Sequence, residues 1–172
     1  MKISVCMATY NGEKYIKEQL ESILSQIGEN DEVIISDDSS TDNTVEIIKA
    51  FSDNRIKIYK NTKVKGYTKN FENALEKANG DMIFLSDQDD VWVENKVQKM
   101  TEILKEYDFV VSDNSIVNEN LEVINKSHFE VYKTKNGFLT NLLLPRYVGA
   151  CMAFKKNVLQ KSLPFPNNAK LS

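Results

Sequence analysis

Long apolar runs, cysteine pairs, a set of histidines and, in its last quarter, acid of any kind are missing from this 172-residue chain. No segment approaches the roughly 20 apolar residues that cross a bilayer, so no transmembrane helix is expected. Met1-Lys2 runs straight into a strand-like stretch, and no signal peptide is visible. The two cysteines, Cys6 and Cys151, sit in separate apolar runs without metal-ligand spacing. They read as buried small hydrophobes in a reducing compartment, against a disulfide scaffold. The single histidine, His128, has no partner pattern that would make it a catalytic base and reads as a surface or loop residue. There is no internal repeat, low-complexity segment or linker. After Glu130 no Asp or Glu occurs, whereas seven Lys or Arg do. Residues 1–130 therefore hold all 25 acids and 15 of the 22 basic residues, a formal charge of −10 hidden inside a net −3. An acidic body without a basic, aromatic-laced stripe argues against a nucleic-acid partner. The basic tail either faces an anionic ligand or is a solvated surface.

What is present suits one soluble domain: hydrophobic residues make up 41% and charged residues 27%, enough to bury a sizeable core. Strand and helix patterns alternate from the start. Ile3 to Met7 is a short apolar run. Ile16, Leu20, Ile23, Leu24 and Ile27 follow at helical spacing. Glu32 to Ser36 is a second strand, and Asn43 with Glu46 marks a helix start before Val45, Ile47, Ile48 and Phe51. Ile56 to Tyr59 alternates like a half-exposed strand. Tyr67 to Ala78 is helical and stops before Gly80, a C-cap candidate. Met82 to Ser86 is a buried strand, Val97, Met100, Ile103 and Leu104 mark a further helix, and Phe109 to Val111 a further strand. After Ser112 the alternation weakens, with a short helix expected over Phe138 to Leu144 and a strand over Tyr147 to Phe154. The order implies an α/β fold with a mostly parallel central sheet flanked by helices.

Three polar clusters end three of these strands: Thr9-Tyr10-Asn11-Gly12, Asp37-Asp38-Ser39-Ser40 and Asp87-Gln88-Asp89-Asp90. In open α/β sheets those ends border the ligand crevice. Each cluster alone is also ordinary turn chemistry. Three carboxylates crowded at a strand end repel one another, and an oxygen-only set suits Mg²⁺ or Mn²⁺, which is usually held by one or two carboxylates plus substrate phosphates. The competing reading is an acidic loop capping the next helix.

Taken in order, Val5 to Gly12, Asp37 to Asp42, Asn61, Gly66 and Asn70, and Leu85-Ser86-Asp87-Gln88-Asp89-Asp90-Val91-Trp92 resemble the family 2 glycosyltransferases. Gly149 to Phe154 resembles that family's later, acceptor-side segment. The Asp-Gln-Asp-Asp-Val-Trp form is most like bacterial members that build surface polysaccharides, rhamnosyltransferase-like ones included. The resemblance implies a GT-A fold with a Rossmann-like nucleotide-binding half, a UDP- or dTDP-linked sugar donor, a glycan or lipid-linked glycan acceptor, and transfer with inversion. It implies that Thr9, Tyr10 and Asn11 line the nucleoside pocket and that Asp38, beside Ser39, accepts from a pyrimidine N3–H. Asn70 and Gln88 would belong to the same donor site, with Asp87 near the ribose and Asp89 on the Mg²⁺ or Mn²⁺. Asp90 matches a family carboxylate or caps the next helix. Lys65 or Lys69 approaches the phosphates or is simply exposed, and Trp92 is a packing anchor.

The resemblance divides one glycosyltransferase domain over 1–172 into a nucleotide-sugar-binding half, 1–112, and the start of an acceptor-side half, 113–172. The family's base lies downstream of the Gly-Ala-Cys stretch, where this chain has no carboxylate. No catalytic residue is therefore expected within it, the base is expected beyond Ser172, and the chain is expected to be an N-terminal piece that binds donor and metal with little transfer activity. A cytoplasmic location is expected, either free or at the inner membrane face. Other classes fit less well. A receiver domain carries its acidic pair after the first strand, an EF-hand needs Gly where Trp92 stands and Glu where Gln98 stands, and a sugar-1-phosphate nucleotidyltransferase needs a Gly-rich, Arg-containing loop after the first strand. A purely binding role is the remaining alternative.

Overall fold

The computed structural model describes residues 1–134 and 147–166. Six strands form one sheet in the order β3-β2-β1-β4-β8-β5. They are β1 (Ile3–Thr9), β2 (Glu32–Asp37), β3 (Ile56–Lys60), β4 (Met82–Ser86), β5 (Phe109–Val111) and β8 (Met152–Lys155). The pairings β1/β2, β1/β4 and β2/β3 are parallel, and β8 runs antiparallel to both β4 and β5, so one strand of the six is reversed. The helices are α1 (Ile16–Leu24), α2 (Thr44–Ala50), α3 (Tyr67–Leu75), α4 (Lys96–Glu106), the single turn α5 (His128–Val131) and α6 (Lys156–Ser162). A two-stranded hairpin, β6 (Ile116–Val117) with β7 (Val123–Asn125), stands apart from the sheet.

β1 and β2 are buried along their whole lengths, which is why they read as continuous apolar runs rather than alternating ones. One face of the sheet contributes Val5, Met7, Val33, Ile35 and Phe84 to a core with Ile16, Leu20 and Ile23 of α1 and Val97, Met100 and Leu104 of α4. The other packs Cys6, Ile34 and Ile83 against Ala74 and Leu75 of α3 and Leu159 of α6. Each fully buried Val, Ile, Leu or Phe contributes about 1.5–3 kcal/mol of hydrophobic stabilisation. β3 is one of the two edge strands, and its half-exposed pattern matches its alternation. Both cysteines are buried free thiols, as their apolar settings suggested.

Several local expectations are corrected. Asn43 is the N-cap residue of α2 but makes no side-chain cap bond; its amide donates instead to Glu13 Oε2 at 2.8 Å. Tertiary contact outcompetes the local cap. Gly80 does not cap α3, which ends at Leu75. A Cβ there would lie 2.6 Å from the Ser4 backbone nitrogen, so glycine is required by close approach of two backbone segments. Ile103 points outward at 43% exposure rather than into the core. The strand expected over Tyr147 to Phe154 is a 3₁₀ turn, Gly149–Cys151, followed by the shorter β8, which pairs antiparallel. His128 opens α5, and its ring lies 4.4 Å from that of Tyr132. The helix expected over Phe138 to Leu144 lies outside the described residues.

Candidate functional site

The strand order reverses between the parallel neighbours β1 and β4: β2 and β3 follow β1 toward one edge of the sheet, and β5 follows β4 toward the other. The crevice at such a switch point is where open α/β sheets hold ligands. Register brings the three polar clusters to it: Thr9 pairs with Asp37, and Met7 with Ser86.

The first two clusters are stitched together by their own side chains. Asp37 Oδ2 accepts from Thr9 Oγ1 at 3.0 Å and from Ser40 Oγ at 2.5 Å. Asn11 N–H donates to Ser40 Oγ at 2.9 Å, and Asn11 Oδ1 accepts from Thr41 N–H at 2.8 Å. Gly12 N–H donates to Thr44 Oγ1 at 2.7 Å. Asn11 and Ser39 both lie at positive φ, 48° and 67°, as tight loop corners require. Asp38 is buried at the crevice floor. Its Oδ1 accepts from Asn61 Nδ2 at 2.8 Å and its Oδ2 from Gly66 N–H at 2.8 Å, at a glycine whose φ of +127° excludes other residues. Each oxygen keeps a second lone pair for a ligand donor.

Helix α3 ties the crevice to the sheet. Asn70 Nδ2 donates to the Thr9 carbonyl at 3.0 Å and Asn73 Nδ2 to Ser36 Oγ at 2.7 Å. Tyr67 O–H donates to Asp87 Oδ1 at 2.6 Å. Gln88 spans the switch point: its Oε1 accepts from Tyr10 N–H at 2.9 Å and its Nε2 donates to the Tyr10 carbonyl at 3.1 Å. A Cβ on Gly12 would come within 2.4 Å of Gln88 Oε1. Gly12→Ala must therefore push the amide off Tyr10. Because the displaced atom is the end of a flexible side chain, we expect thermal stability to change by under about 1 kcal/mol, as thermal denaturation of parent and variant would measure.

Of the expected donor-site residues, then, Asn11, Asn70 and Gln88 use their side chains to shape the crevice. Tyr10, half-exposed at 53%, and Asp89, also exposed, face outward, while Asp87 is half-buried. Asp90 caps no helix: α4 begins six residues later, with Asn95 in the left-handed conformation at its N-cap. Trp92 is the expected packing anchor, buried 5.9 Å from the Phe84 ring. Lys65 is exposed, and Lys69 is occupied by Glu72 at 2.7 Å and the Phe165 carbonyl at 3.3 Å, so neither is placed for phosphates by the protein.

Two further participants, Tyr67 and Lys96, lie outside the three polar clusters. Tyr67 lies twenty residues from its partner Asp87. Lys96 is half-buried beside the acidic cluster, its Nζ donating to the Ala150 carbonyl at 3.1 Å and lying 4.6 Å above the Trp92 ring. The latter had a weak signal, a cation at the first residue of a helix, where the macrodipole disfavours it. Burial holds the Asp87 and Asp90 carboxyls above their ordinary range, with repulsion from neighbouring Asp carboxylates adding to it. Burial pushes the Lys96 ammonium down and, with Asp87 as acceptor, the Tyr67 phenol up. Neighbouring carboxylates that repel one another fit a hard divalent cation, which relieves that repulsion. Among the described residues no three carboxylate, His or Cys side chains converge tightly enough to hold a metal alone, so a cation here would take further ligands from a bound phosphate.

The model of the family described as "Glycosyl transferase family 2" matches residues 4–163. The chain is 34% identical over 120 residues to the Escherichia coli UDP-Glc:alpha-D-GlcNAc-diphosphoundecaprenol beta-1,3-glucosyltransferase WfgD, covering 69% of this chain and 47% of that protein. It is 41% identical over 105 residues to the Shigella flexneri dTDP-rhamnosyl transferase RfbG, covering 57% of this chain and 36% of that one. Among solved structures, Staphylococcus aureus TarS 1-349 in complex with UDP-GlcNAc superposes with a TM-score of 0.74 at 26% identity, over 94% of this chain and 47% of that one. The chain thus spans less than half the length of these relatives.

Proposed function

Since the chain belongs to glycosyl transferase family 2, we propose that the switch-point crevice binds the nucleoside diphosphate of a UDP- or dTDP-linked sugar. The sugar would pass with inversion to a hydroxyl of a glycan or lipid-linked glycan in bacterial polysaccharide synthesis. The observation that carries this reading is that two adjacent residues, Gly66 and Tyr67, tie the buried Asp38 and the acidic cluster's Asp87 to one short segment. WfgD and TarS, whose names or titles specify UDP-linked sugars, support the donor class.

In this reading Asp38 accepts from the N3–H of uracil or thymine, a donor that cytosine lacks, and its position is held by Asn61 and Gly66. Tyr10 offers its exposed ring to the base. Asp87, oriented by Tyr67, meets the ribose. Asp89, with Asp90 beside it, would hold Mg²⁺ or Mn²⁺. The cation would stabilise charge developing on the departing diphosphate. Gln88 keeps the Tyr10 loop closed on the acidic cluster. No residue of this chain is assigned as the base that deprotonates the acceptor. Among the described residues no helix is long and apolar enough to cross a membrane.

Calorimetric titration tests the assignment. UDP should bind the chain in the presence of Mn²⁺ at least tenfold more tightly than in EDTA, and CDP should bind more weakly than UDP. Equal affinities for UDP with and without metal would refute the metal assignment; equal affinities for UDP and CDP would refute the role of Asp38.

A further inference from the structure

Asp38 and Asp87 stand just past the ends of β2 and β4, with β1 between those two strands. The backbone of Asp38 is fixed to β1, its N–H donating to the Thr9 carbonyl at 2.9 Å. Its side chain is set from elsewhere. Gly66 N–H reaches Asp38 Oδ2, and the phenol of the very next residue, Tyr67, reaches Asp87 Oδ1. Two carboxylates that follow different strands are thus held by the two halves of one dipeptide.

That dipeptide has little freedom. The Gly66 carbonyl accepts from Asn70 N–H at 2.9 Å, closing the first turn of α3. The Tyr67 ring packs edge-on against the buried Phe71, with ring centroids 4.8 Å apart. Asn70 and Asn73 fasten α3 in turn to the ends of β1 and β2. A displacement of Asp87 that pulls on the phenol is therefore passed to Gly66 N–H instead of being absorbed by a loose loop. The bond itself is of the stronger kind, an O–H donor on a carboxylate at 2.6 Å. Burial and the Asp87 partner both push the phenol up, so it stays protonated and donates. Tyr67→Phe would keep the ring packing and remove this one bond.

We propose that Tyr67 is a positioning residue that makes recognition of the base at Asp38 and capture of the cation at the acidic cluster depend on each other. The proposal rests on the nucleotide-binding reading and adds a coupling between its two ends. A cation held by Asp89 and the diphosphate orders the neighbouring Asp87. Asp87 then holds the phenol, and the phenol holds Gly66 N–H on Asp38, so that the free lone pair of that carboxylate stays aimed at the base. Each end meets part of the ordering that the other needs. By linkage, a base that engages Asp38 favours the cation by the same factor as the cation favours the base. A tyrosine that only satisfied the half-buried Asp87 would behave differently: its loss would weaken every nucleotide alike, with metal and without.

The quantity to measure is the metal gain, the ratio of a nucleotide's Kd in EDTA to its Kd in Mn²⁺, by calorimetric titration of the chain. In the parent the gain should be about fivefold larger for UDP than for CDP, whose base brings no N3–H to Asp38. In Tyr67→Phe the two gains should become equal. Gly66→Ala should equalise them as well: its added Cβ meets nothing within 4 Å, so it acts only through backbone strain at a φ of +127°. Circular dichroism checks that each variant is folded, and Gly66→Ala decides the matter if Tyr67→Phe is not. Equal gains for UDP and CDP in the parent, or a difference that survives undiminished in folded Tyr67→Phe, overturns the proposal. The two readings stay separable. If UDP binds with a metal gain that CDP matches, only the coupling falls; if UDP does not bind or shows no metal gain, the donor reading falls and takes the coupling with it.

Discussion

Asp89→Ala will abolish most of the affinity that Mn²⁺ adds to UDP binding, a loss of about tenfold, while leaving the metal-free protein as stable as the parent or slightly more so. The two halves of that expectation have opposite signs for a physical reason. Asp89 is exposed, so its removal opens no cavity and strands no buried partner. It also adds to the repulsion that, after burial, keeps the Asp87 and Asp90 carboxyls above their ordinary range. Without the ligand, its removal relieves that repulsion; with the ligand, it takes away an oxygen on which the cation depends. A carboxylate kept for structure would behave the other way round, costing stability in the free protein and little in binding. Calorimetry of UDP with Mn²⁺ and thermal denaturation in EDTA, run on parent and variant, separate the two cases. If the variant keeps the parent's metal-dependent affinity, Asp89 is not a metal ligand.

The second large effect lies at the opposite end of the sheet. Glu32 is buried at the start of β2, where its carboxylate accepts from Lys2 Nζ at 2.8 Å, Lys57 Nζ at 2.7 Å, Ser4 Oγ at 2.7 Å and Asn79 N–H at 2.9 Å. Ser4 Oγ in turn accepts from Gly80 N–H, so the network joins β1, β2, β3 and the turn before β4. Burial by itself would raise the Glu32 carboxyl; the four hydrogen bonds outweigh it and hold the group down at about 2. The folded state therefore favours the carboxylate more than the unfolded chain does. This stabilisation is fully present above the ordinary carboxyl value of 4.5 and is lost as pH falls from there toward 2. With the lysines at 35% and 42% exposure, solvent screening reduces the contribution to roughly 2–3 kcal/mol. Glu32→Gln should lower stability by about that amount at pH 7, a fall of about 4–10 °C in melting temperature. The difference between parent and variant should shrink through the window from pH 4.5 to 2. Parallel stability curves for the two proteins across that window would show that Glu32 does not carry the linkage.

The contrast between the two ends of the sheet follows from where charge is satisfied. At the N-terminal ends of β1 and β2 the buried acid is surrounded by protein donors, and it stabilises. At the C-terminal ends of β2 and β4 the acids crowd one another or, as at Asp38, keep unused lone pairs.

The alternation of elements, the buried character of β1, β2 and β4 and the grouping of three polar clusters at strand ends were all legible in the linear order of residues. Apolar run length and helical spacing depend only on local covalent geometry and on removing side chains from water. The same holds for Trp92 as an anchor and for the two buried thiols. Other features were not legible, because they depend on which distant segments meet. Gln88 looks like a ligand residue until the switch point places it opposite the Tyr10 backbone. Asn43 looks like a helix cap until Glu13 arrives to take its amide, and Gly80 looks like one until Ser4 presses against it. Tyr67 carries no mark of the acidic cluster in its own neighbourhood. The sequence by itself determined the strands, the helices and the chemical character of the crevice; the tertiary structure decided which side chains stay open to a ligand and which are consumed in holding the loops, since a hydrogen bond is settled by a partner's distance in space and not along the chain.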